Sequence, residues 1–400
     1  MFADRYIQNN VVYPPFVEAE VLPSVSMIVM IPCLNEPEIF RTLESLWACD
    51  PVKSNCEVIV VVNESENSSE AVKQFNQESY LRLFDWKAAN DRPNLILHPI
   101  YARSVTARHA GAGMARKIGM DEVVRQFNAI NRADSVIIST DADCLFSPNY
   151  LKQIEQAFSR KSCFAATLNF KHRIDEMTDQ KQQLGIRLYE DYLHYYKKAL
   201  DYAGFPDSIY TIGSAFAVRA DAYVKQGGMN RRQAGEDFYF LNKLTKLGKI
   251  VEINDAYVYP SARVSDRVPF GTGAAMTKWM NDADDSSLTY NFAAFCDLKV
   301  LFDRVDSLFR ITSVSEFLSS LPQSVQEYLE SLNFSEKLSE INKYSSNLIS
   351  FRKRFFQFFD AFIILRFLNL AHEKYYAEQK LSEAIAQLKE ASDEIKNAEE

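Results

Sequence analysis

The chain has 400 residues, of which 47% are hydrophobic and 24% are charged, and its formal net charge at pH 7 is −8. These values are typical of a globular protein with one or two domains and enough apolar residues for a sizeable core. The acidic balance argues against a nucleic-acid coat protein and against a polybasic membrane anchor.

The opening residues 1–5 lead into polar sequence and not into the apolar region of a signal peptide. The most apolar stretch, residues 355–366, is interrupted by Gln357, Asp360 and Arg366, which favours a core helix over a membrane span. The sequence therefore predicts a cytoplasmic protein without a transmembrane segment.

Residues 1–24 contain three prolines and predict an irregular N-terminal arm. After it, continuous apolar runs alternate with segments of helical periodicity. The predicted strands are 25–31, 57–62, 95–97 and 135–140, and the predicted helices are 38–47, about 69–80 and 111–129. Such alternation indicates parallel βαβ units. The predicted fold class is α/β, with a mixed and mainly parallel sheet flanked by helices.

After about residue 285 the pattern changes to helices without clear strands. We therefore predict an α/β domain over 25–284 and a helical C-terminal region over 285–400. The last helical segment carries a short apolar seam of Leu381, Ile385, Leu388 and Ile395. Packing of this helix on the catalytic domain and pairing with a second copy in a homo-oligomer both remain open.

The acidic pair Asp141 and Asp143 directly follows the predicted strand 135–140. Two carboxylates one residue apart suit Mn²⁺ or Mg²⁺, which take carboxylate, water and phosphate oxygens as ligands. Two acidic residues in such a loop are often only solvated, so the prediction of a metal site depends on what surrounds them.

Polar side chains also follow the first two predicted strands, at Asn35 with Glu36 and at Asn63. Ligands of parallel sheets bind beyond the carboxyl ends of the strands. Amide and carboxylate groups there can hydrogen-bond a base edge or ribose hydroxyls. The sequence therefore predicts one ligand site at this edge, shared with Asp141 and Asp143.

Several segments resemble motifs of the family 2 glycosyltransferases, which have the nucleotide-diphospho-sugar GT-A fold. The similar segments are Ile31-Pro32-Cys33-Leu34-Asn35-Glu36, Val60-Val61-Val62-Asn63-Glu64-Ser65, Gly111–Gly119, Ser139-Thr140-Asp141-Ala142-Asp143, Gly213–Arg219 and Gly235-Glu236-Asp237. The resemblance covers about residues 25–250 and implies a GT-A domain that uses a nucleotide-diphosphate sugar as donor and a hydroxyl as acceptor.

The resemblance implies donor contacts from Asn35, Glu36 and Asn63, although the family typically has an aspartate where Asn63 stands. It also implies a donor role for Asp141, which would touch the metal ion or the ribose. It also implies that the small residues of Gly111–Gly119 let a helix approach the donor. Arg116 or Lys117 would then face the diphosphate or the sugar, the alternative being solvated helix charges.

Asp237 heads a segment of helical periodicity, where a carboxylate can simply cap the helix. The resemblance favours a catalytic role, in which Asp237 takes the proton from the acceptor hydroxyl. Further along, Arg263 and Arg267 lie in a Pro- and Gly-bounded segment and are expected to clamp phosphate oxygens, or else to form a salt-bridged loop. Asp266 or a water would complete the metal ligands.

The predicted function is metal-dependent transfer of a sugar from a nucleotide-diphosphate donor to an acceptor hydroxyl, with inversion at the anomeric carbon. A retaining glycosyltransferase, a sugar-phosphate nucleotidyltransferase and a non-catalytic nucleotide-binding scaffold are the alternatives.

Overall fold

The computed structural model describes residues 1–18, 21–233, 235–265, 271–281 and 287–399. The chain forms two compact units. The first unit comprises Met1–Gln183 and Thr211–Thr277, and the second comprises Leu184–Tyr210 and Lys278–Glu400.

The first unit is built on an eight-stranded sheet in the order β3-β2-β1-β4-β7-β6-β8-β5. Its strands are β1 (Val25–Cys33), β2 (Asn55–Ser65), β3 (Leu95–Val105), β4 (Val136–Ser139), β5 (Leu145–Phe146), β6 (Ala165–Phe170), β7 (Phe216–Arg219) and β8 (Val251–Tyr259). Strands β3, β2, β1 and β4 run parallel to one another, whereas β7 is antiparallel to both β4 and β6. This mixed, mainly parallel sheet confirms the predicted fold class.

Seven helices in the described part of the first unit accompany this sheet. They are α1 (Asp4–Asn10), α2 (Ile39–Trp47), α3 (Glu70–Asn90), α4 (Ala112–Ala129), α5 (Tyr150–Phe158), α7 (Ala220–Lys225) and α8 (Glu236–Leu244). Two further helices, α6 (Gln180–Ala203) and α9 (Thr272–Met280), run from one unit into the other. Short 3₁₀ turns lie at Ile174–Glu176, Thr245–Leu247 and Val305–Leu308.

The apolar strands predicted from the sequence form the core. Val29 and Val60 are fully buried in β1 and β2, and Leu43 and Leu46 of α2 pack in the same cluster. These helix residues are spaced by three positions, which places them on one face of α2. The continuous apolar sequence of β1 and β2 is therefore explained by burial within the sheet centre.

Two elements differ from the sequence expectations. Asp4–Asn10 form a helix, whereas the sequence predicts an irregular arm. This helix is held on α4, where Tyr6 donates a hydrogen bond to buried Asp121 at 2.7 Å. Strand β3 extends to Val105, eight residues past the predicted end, because its second half continues to pair with β2.

The second unit is almost wholly helical in its described residues. It contains α10 (Phe292–Phe302), α11 (Val314–Ser319), α12 (Gln323–Ser331), α13 (Phe334–Lys343), α14 (Leu348–Phe358), α15 (Ala361–Lys374) and α16 (Leu381–Glu399). A two-stranded antiparallel pair, β9 (Leu288–Thr289) with β10 (Gln379–Lys380), accompanies them. In α16, Leu381, Ala384 and Leu388 are buried, so part of the predicted apolar seam packs within this unit.

None of the described helices on its own has the length and apolar character needed to cross a membrane, although α14 and α15 meet that criterion as a pair bent by 58°. The division of the chain at residues 24 and 284 remains a proposal.

Candidate active site

The carboxyl ends of β1, β2 and β4 lie side by side in the first unit. β1 pairs in parallel with β2 up to Cys33 and Val62, and with β4 up to Met30 and Ser139. The backbone N–H of Thr140 continues this contact by donating to Met30 at 3.2 Å. The polar residues at and after the ends of these strands therefore lie at one edge of the sheet.

Asn76 of α3 joins the ends of the first two strands. Its Oδ1 accepts from the backbone N–H of Asn35 at 2.9 Å, and its Nδ2 donates to the carbonyl of Asn63 at 3.2 Å. Asn76 is buried, and Asn35 has the left-handed φ of 48°. Sequence reasoning missed Asn76, whose only signal is an amide within a helix, where asparagine has a low propensity.

The acidic loop after β4 is fixed by its backbone. The Oγ1 of Thr42 in α2 donates to the carbonyl of Ala142 at 2.8 Å, and the N–H of Cys144 donates to the carbonyl of Asp141 at 3.3 Å. The side chains remain accessible, with 36% of Asp141 and 23% of Asp143 exposed. A fixed backbone with accessible carboxylates suits a group that binds an exchangeable ligand.

Arg116 of α4 connects the acidic loop to the start of α8. Its Nη2 donates to Oδ1 of Asp141 at 2.7 Å, and its Nε donates to Oε1 of Glu236 at 2.9 Å. Its Nη1 also donates to Oγ of Ser139 at 3.4 Å. Burial alone would lower the pKa of Arg116, but the carboxylates of Asp141 and Glu236 raise it above its ordinary value. Arg116 is therefore a charged, buried bridge.

Glycines make room for this bridge. A Cβ at Gly213 would lie 3.0 Å from Cζ of Arg116 and closer still to Nη2. A Cβ at Gly111 or Gly113 would overlap the backbone of Gln233 or Arg232. The small residues at the start of α4 thus allow the segment before α8 to pack closely against this helix. The family resemblance instead implies that they let the helix approach the donor.

Asp237 lies in the first turn of α8, after Gly235 in the left-handed conformation at φ 70°. Its Oδ1 accepts from the backbone N–H of Phe238 at 2.7 Å. Burial, followed by the charge of Glu236, raises the pKa of Asp237 to about 6, and Arg116 opposes the rise. A carboxylate with this pKa is ionised at neutral pH and is a stronger base than an exposed aspartate.

A second arginine gathers the carboxylates on the other side of the acidic pair. Arg263 donates to Oε2 of Glu36, and its Nη2 lies 3.5 Å from Oδ2 of Asp143. Oε1 of Glu36 accepts from the N–H of Glu38 at 2.9 Å. Burial alone would lower the pKa of Arg263, but the carboxylate of Glu36 raises it above its ordinary value. Arg263 therefore forms ion pairs, which is the salt-bridged alternative that the sequence leaves open. Asp266 and Arg267 lie outside the described residues.

Arg173 adds a third cation that sequence reasoning did not assign to this edge. It donates to Glu38 at 2.5 Å, to the carbonyl of Asp143 at 2.9 Å and to Glu176 at 2.8 Å. Its side chain is 5% exposed. It therefore supports the backbone of the acidic loop from the side of β6.

Lys117 does not join these groups. Its Nζ donates to Oδ2 of Asp121 at 2.8 Å and lies 3.3 Å from the hydroxyl of Tyr6. All three side chains are buried. The expectation that Lys117 faces the donor is not supported by this placement, because its charge is used in docking α1 onto α4.

The described residues contain no group of three or more His, Cys, Asp or Glu side chains arranged to hold a metal ion. Asp141 and Asp143 alone fit a hard cation that takes its other ligands from water and substrate phosphates, as Mg²⁺ commonly does. The chemistry of this donor set thus suits a metal that arrives with a nucleotide.

The sequence matches the model of the glycosyl transferase family 2 over residues 28–226. A search of curated proteins gave no match. Similar solved structures include TarS 1-349 of S. aureus in complex with UDP-GlcNAc, at 14% identity, a TM-score of 0.42, and coverage of 88% of this chain and 92% of that one. The mannosyltransferase PcManGT from Pyrobaculum calidifontis, in complex with GDP-Man and Mn²⁺, is 14% identical with a TM-score of 0.41, and the match covers 89% of this chain and 93% of that one.

The matched segment contains most of β1, all of β2 to β7, the acidic pair and Arg116. The chain therefore carries a glycosyl transferase family 2 domain over residues 28–226 and is a glycosyltransferase.

Proposed function

We propose that this enzyme transfers a sugar from a nucleotide-diphosphate donor to an acceptor hydroxyl, with a divalent metal and with inversion at the anomeric carbon. The observation that carries the proposal is the bridge of Arg116, which joins Asp141 at 2.7 Å and Glu236 at 2.9 Å. Through this bridge, the candidate metal ligand and the residue beside the candidate base Asp237 belong to one site.

The donor nucleotide is proposed to bind at the ends of β1 and β2. Asn35 and Asn63 flank this position, and Asn76 holds their backbones together. An amide both donates and accepts hydrogen bonds, so Asn63 can contact a base edge or a ribose hydroxyl. Glu36 is available for a ribose contact only when the donor displaces Arg263 from it.

Asp141 and Asp143 are proposed to hold Mn²⁺ or Mg²⁺. When bound, such an ion supplies positive charge that offsets the negative charge of the departing diphosphate. Arg116 fixes one oxygen of Asp141, so this carboxylate is oriented before any ligand arrives. Arg173 fixes the carbonyl of Asp143 in the same way.

Asp237 is proposed to accept the proton of the acceptor hydroxyl. The oxygen of that hydroxyl forms a bond to the anomeric carbon while the bond from this carbon to the diphosphate breaks, and the diphosphate departs with the bonding electrons. Attack opposite the leaving group inverts the configuration. Burial raises the pKa of the Asp237 carboxyl to about 6, and a carboxylate with this pKa is a suitable general base near neutral pH.

Arg263, and Arg267 beyond the described residues, are proposed to contact the diphosphate of the donor. In the structure Arg263 is paired with Glu36 and lies near Asp143. Phosphate oxygens accept the same bidentate hydrogen bonds as carboxylates, so a donor can exchange for these partners. Arg263 would then pair with the carboxylates of the acidic site when no donor is bound, and with the donor diphosphate when the donor is bound.

Calorimetry with UDP and GDP, with and without Mn²⁺, tests the proposal directly. We expect saturable nucleotide binding that strengthens with Mn²⁺, and loss of the metal effect in Asp143→Asn. Asp134, an exposed residue before β4, gives the matched control Asp134→Asn. Binding of neither nucleotide, or binding indifferent to both the metal and Asp143→Asn, would contradict the proposed site.

A further inference from the structure

The second unit has a basic surface that the proposed transfer reaction does not use. From residue 341 to 359 the sequence has four basic residues and no acidic one, in a chain of net charge −8. We call Lys343, Tyr344, Ile349, Lys353 and Arg354 the basic face. All five side chains are exposed, and Ile349 is 82% exposed and Tyr344 57% exposed. The basic face belongs to the second unit, whereas the residues assigned to the donor site belong to the first.

Helix α14 presents this face because it is amphipathic. Phe351 and Phe355 are fully buried in the second unit. Ile349 and Lys353 are offset from them by two positions, or about 200° around the helix axis. Asn347 and Ser350 form a capping box that fixes the first turn, which contains Ile349. The helix therefore holds an aliphatic and a basic side chain outward on the same side.

Tyr344 groups the remaining cations of the face. The Nζ of Lys343 lies 5.5 Å from the centre of its ring, and Cζ of Arg354 lies 5.9 Å from it. Arg352 is different, because it forms an ion pair with Asp306. Among the described residues, Lys353 and Arg354 have no salt bridge. The face thus combines charges without an acidic partner with two exposed apolar groups.

We propose that the basic face docks on an anionic lipid bilayer. Lysine and arginine attract anionic headgroups, tyrosine is favoured at the membrane–water interface, and an isolated aliphatic side chain gains by entering the acyl boundary. A site for single-stranded RNA would pair its cations with several exposed aromatic rings for base stacking. Here Ile349, the most exposed large hydrophobic of the described residues, offers no stacking surface.

Docking would be superficial. Several apolar residues of α14 and α15, such as Phe355, Ile364 and Phe367, are buried within the second unit, as is Phe359 between the two helices. These side chains therefore pack in the protein core, and only the exposed side chains of the basic face are available to contact lipid.

The test is cosedimentation of the full chain with phosphatidylcholine vesicles that contain or lack phosphatidylglycerol. We expect binding only with phosphatidylglycerol and weaker binding as salt increases. Lys353→Gln with Arg354→Gln should weaken binding about 30-fold, at about 1 kcal/mol for each basic residue near an anionic surface. Ile349→Ser should weaken it about tenfold, because one aliphatic side chain is no longer transferred from water.

The matched control is Lys389→Gln with Lys396→Gln, which removes two exposed charges from α16 in the same unit. This control should bind like the wild type, and an unchanged circular-dichroism spectrum and melting temperature in all variants show that the helical second unit is intact. The proposal is overturned by no binding to phosphatidylglycerol vesicles, by equal losses in the control, or by an RNA oligonucleotide that displaces the vesicles while Ile349→Ser has no effect.

Discussion

The guanidinium of Arg116 lies 2.7 Å from Oδ1 of Asp141, although the two residues come from a helix and from the loop of a different βα unit. The same guanidinium contacts Glu236, which is 120 positions away in the sequence. Because a guanidinium is planar and has fixed donor directions, it sets the distance between these two carboxylates. One buried side chain thus ties Asp141 of the acidic pair to Glu236, the residue next to Asp237.

Replacing Asp237 with asparagine should reduce turnover by about 10²-fold or more, the usual scale for loss of a general base. Nucleotide affinity should stay near that of the wild type, because the amide keeps the volume of the side chain. Steady-state kinetics and UDP calorimetry on the same preparation separate the two effects. An equal loss of affinity and turnover would assign Asp237 to donor binding.

The pH dependence of turnover should follow Asp237. Its pKa is raised from 3.8 to about 6, so the base is ionised above that pH and protonated below it. Turnover should therefore be constant on the alkaline side of pH 6 and fall about tenfold per pH unit on the acid side. A pH–rate profile checks this, and the residual activity of Asp237→Asn should lack the acid limb. A wild-type profile that stays flat well below pH 6 would contradict the assignment.

Arg116→Ala should destabilise the protein by about 3 kcal/mol, the scale for removing one partner of a buried ion pair. Glu236 is 4% exposed and would be left as a buried charge without its partner. Denaturant unfolding measures the loss. Arg116→Ala combined with Glu236→Gln should recover part of it, since no unpaired charge then remains. Additive losses in the double variant would show that the two residues act independently.

Tyr6→Phe tests the docking of α1. The hydroxyl of Tyr6 donates to Asp121 at 2.7 Å in a buried cluster that includes Lys117. Its removal should lower the free energy of unfolding by about 1–2 kcal/mol, because a buried carboxylate loses a hydrogen bond. Tyr13→Phe, at a half-buried ring in the same N-terminal segment, is the control and should stay within about 0.5 kcal/mol of wild type. Equal effects would mean that the hydroxyl of Tyr6 has no special role.

The sheet and the acidic loop could be predicted because their signals are local. Continuous apolar runs specify β1 and β2, and the position of Asp141 after a strand is visible in the sequence alone. Parallel pairing then brings the strand ends together without further information. The family match adds the enzyme class over residues 28–226.

The partners of the charged residues could not be predicted, because they depend on contacts between distant segments. Arg116 and Lys117 look equivalent in the sequence, but adjacent helix positions differ by about 100° around the axis. Arg116 therefore faces the acidic loop, while Lys117 faces Tyr6 and Asp121. Asn76 and Arg173 were missed for the same reason, since their roles follow from which strand ends and loops they reach.

Gly213→Ala tests the bridge of Arg116 without removing any charged group. The added methyl would lie 3.0 Å from Cζ of Arg116, so the guanidinium must shift. This shift would disturb its hydrogen bonds to Asp141 and Glu236. We expect turnover to fall about tenfold, since small misplacements of catalytic groups are costly. In the Arg116→Ala background the same change has nothing to displace and should have almost no further effect. If Gly213→Ala lowers turnover equally in both backgrounds, its effect does not pass through Arg116, and the bridge does not set the geometry of the site.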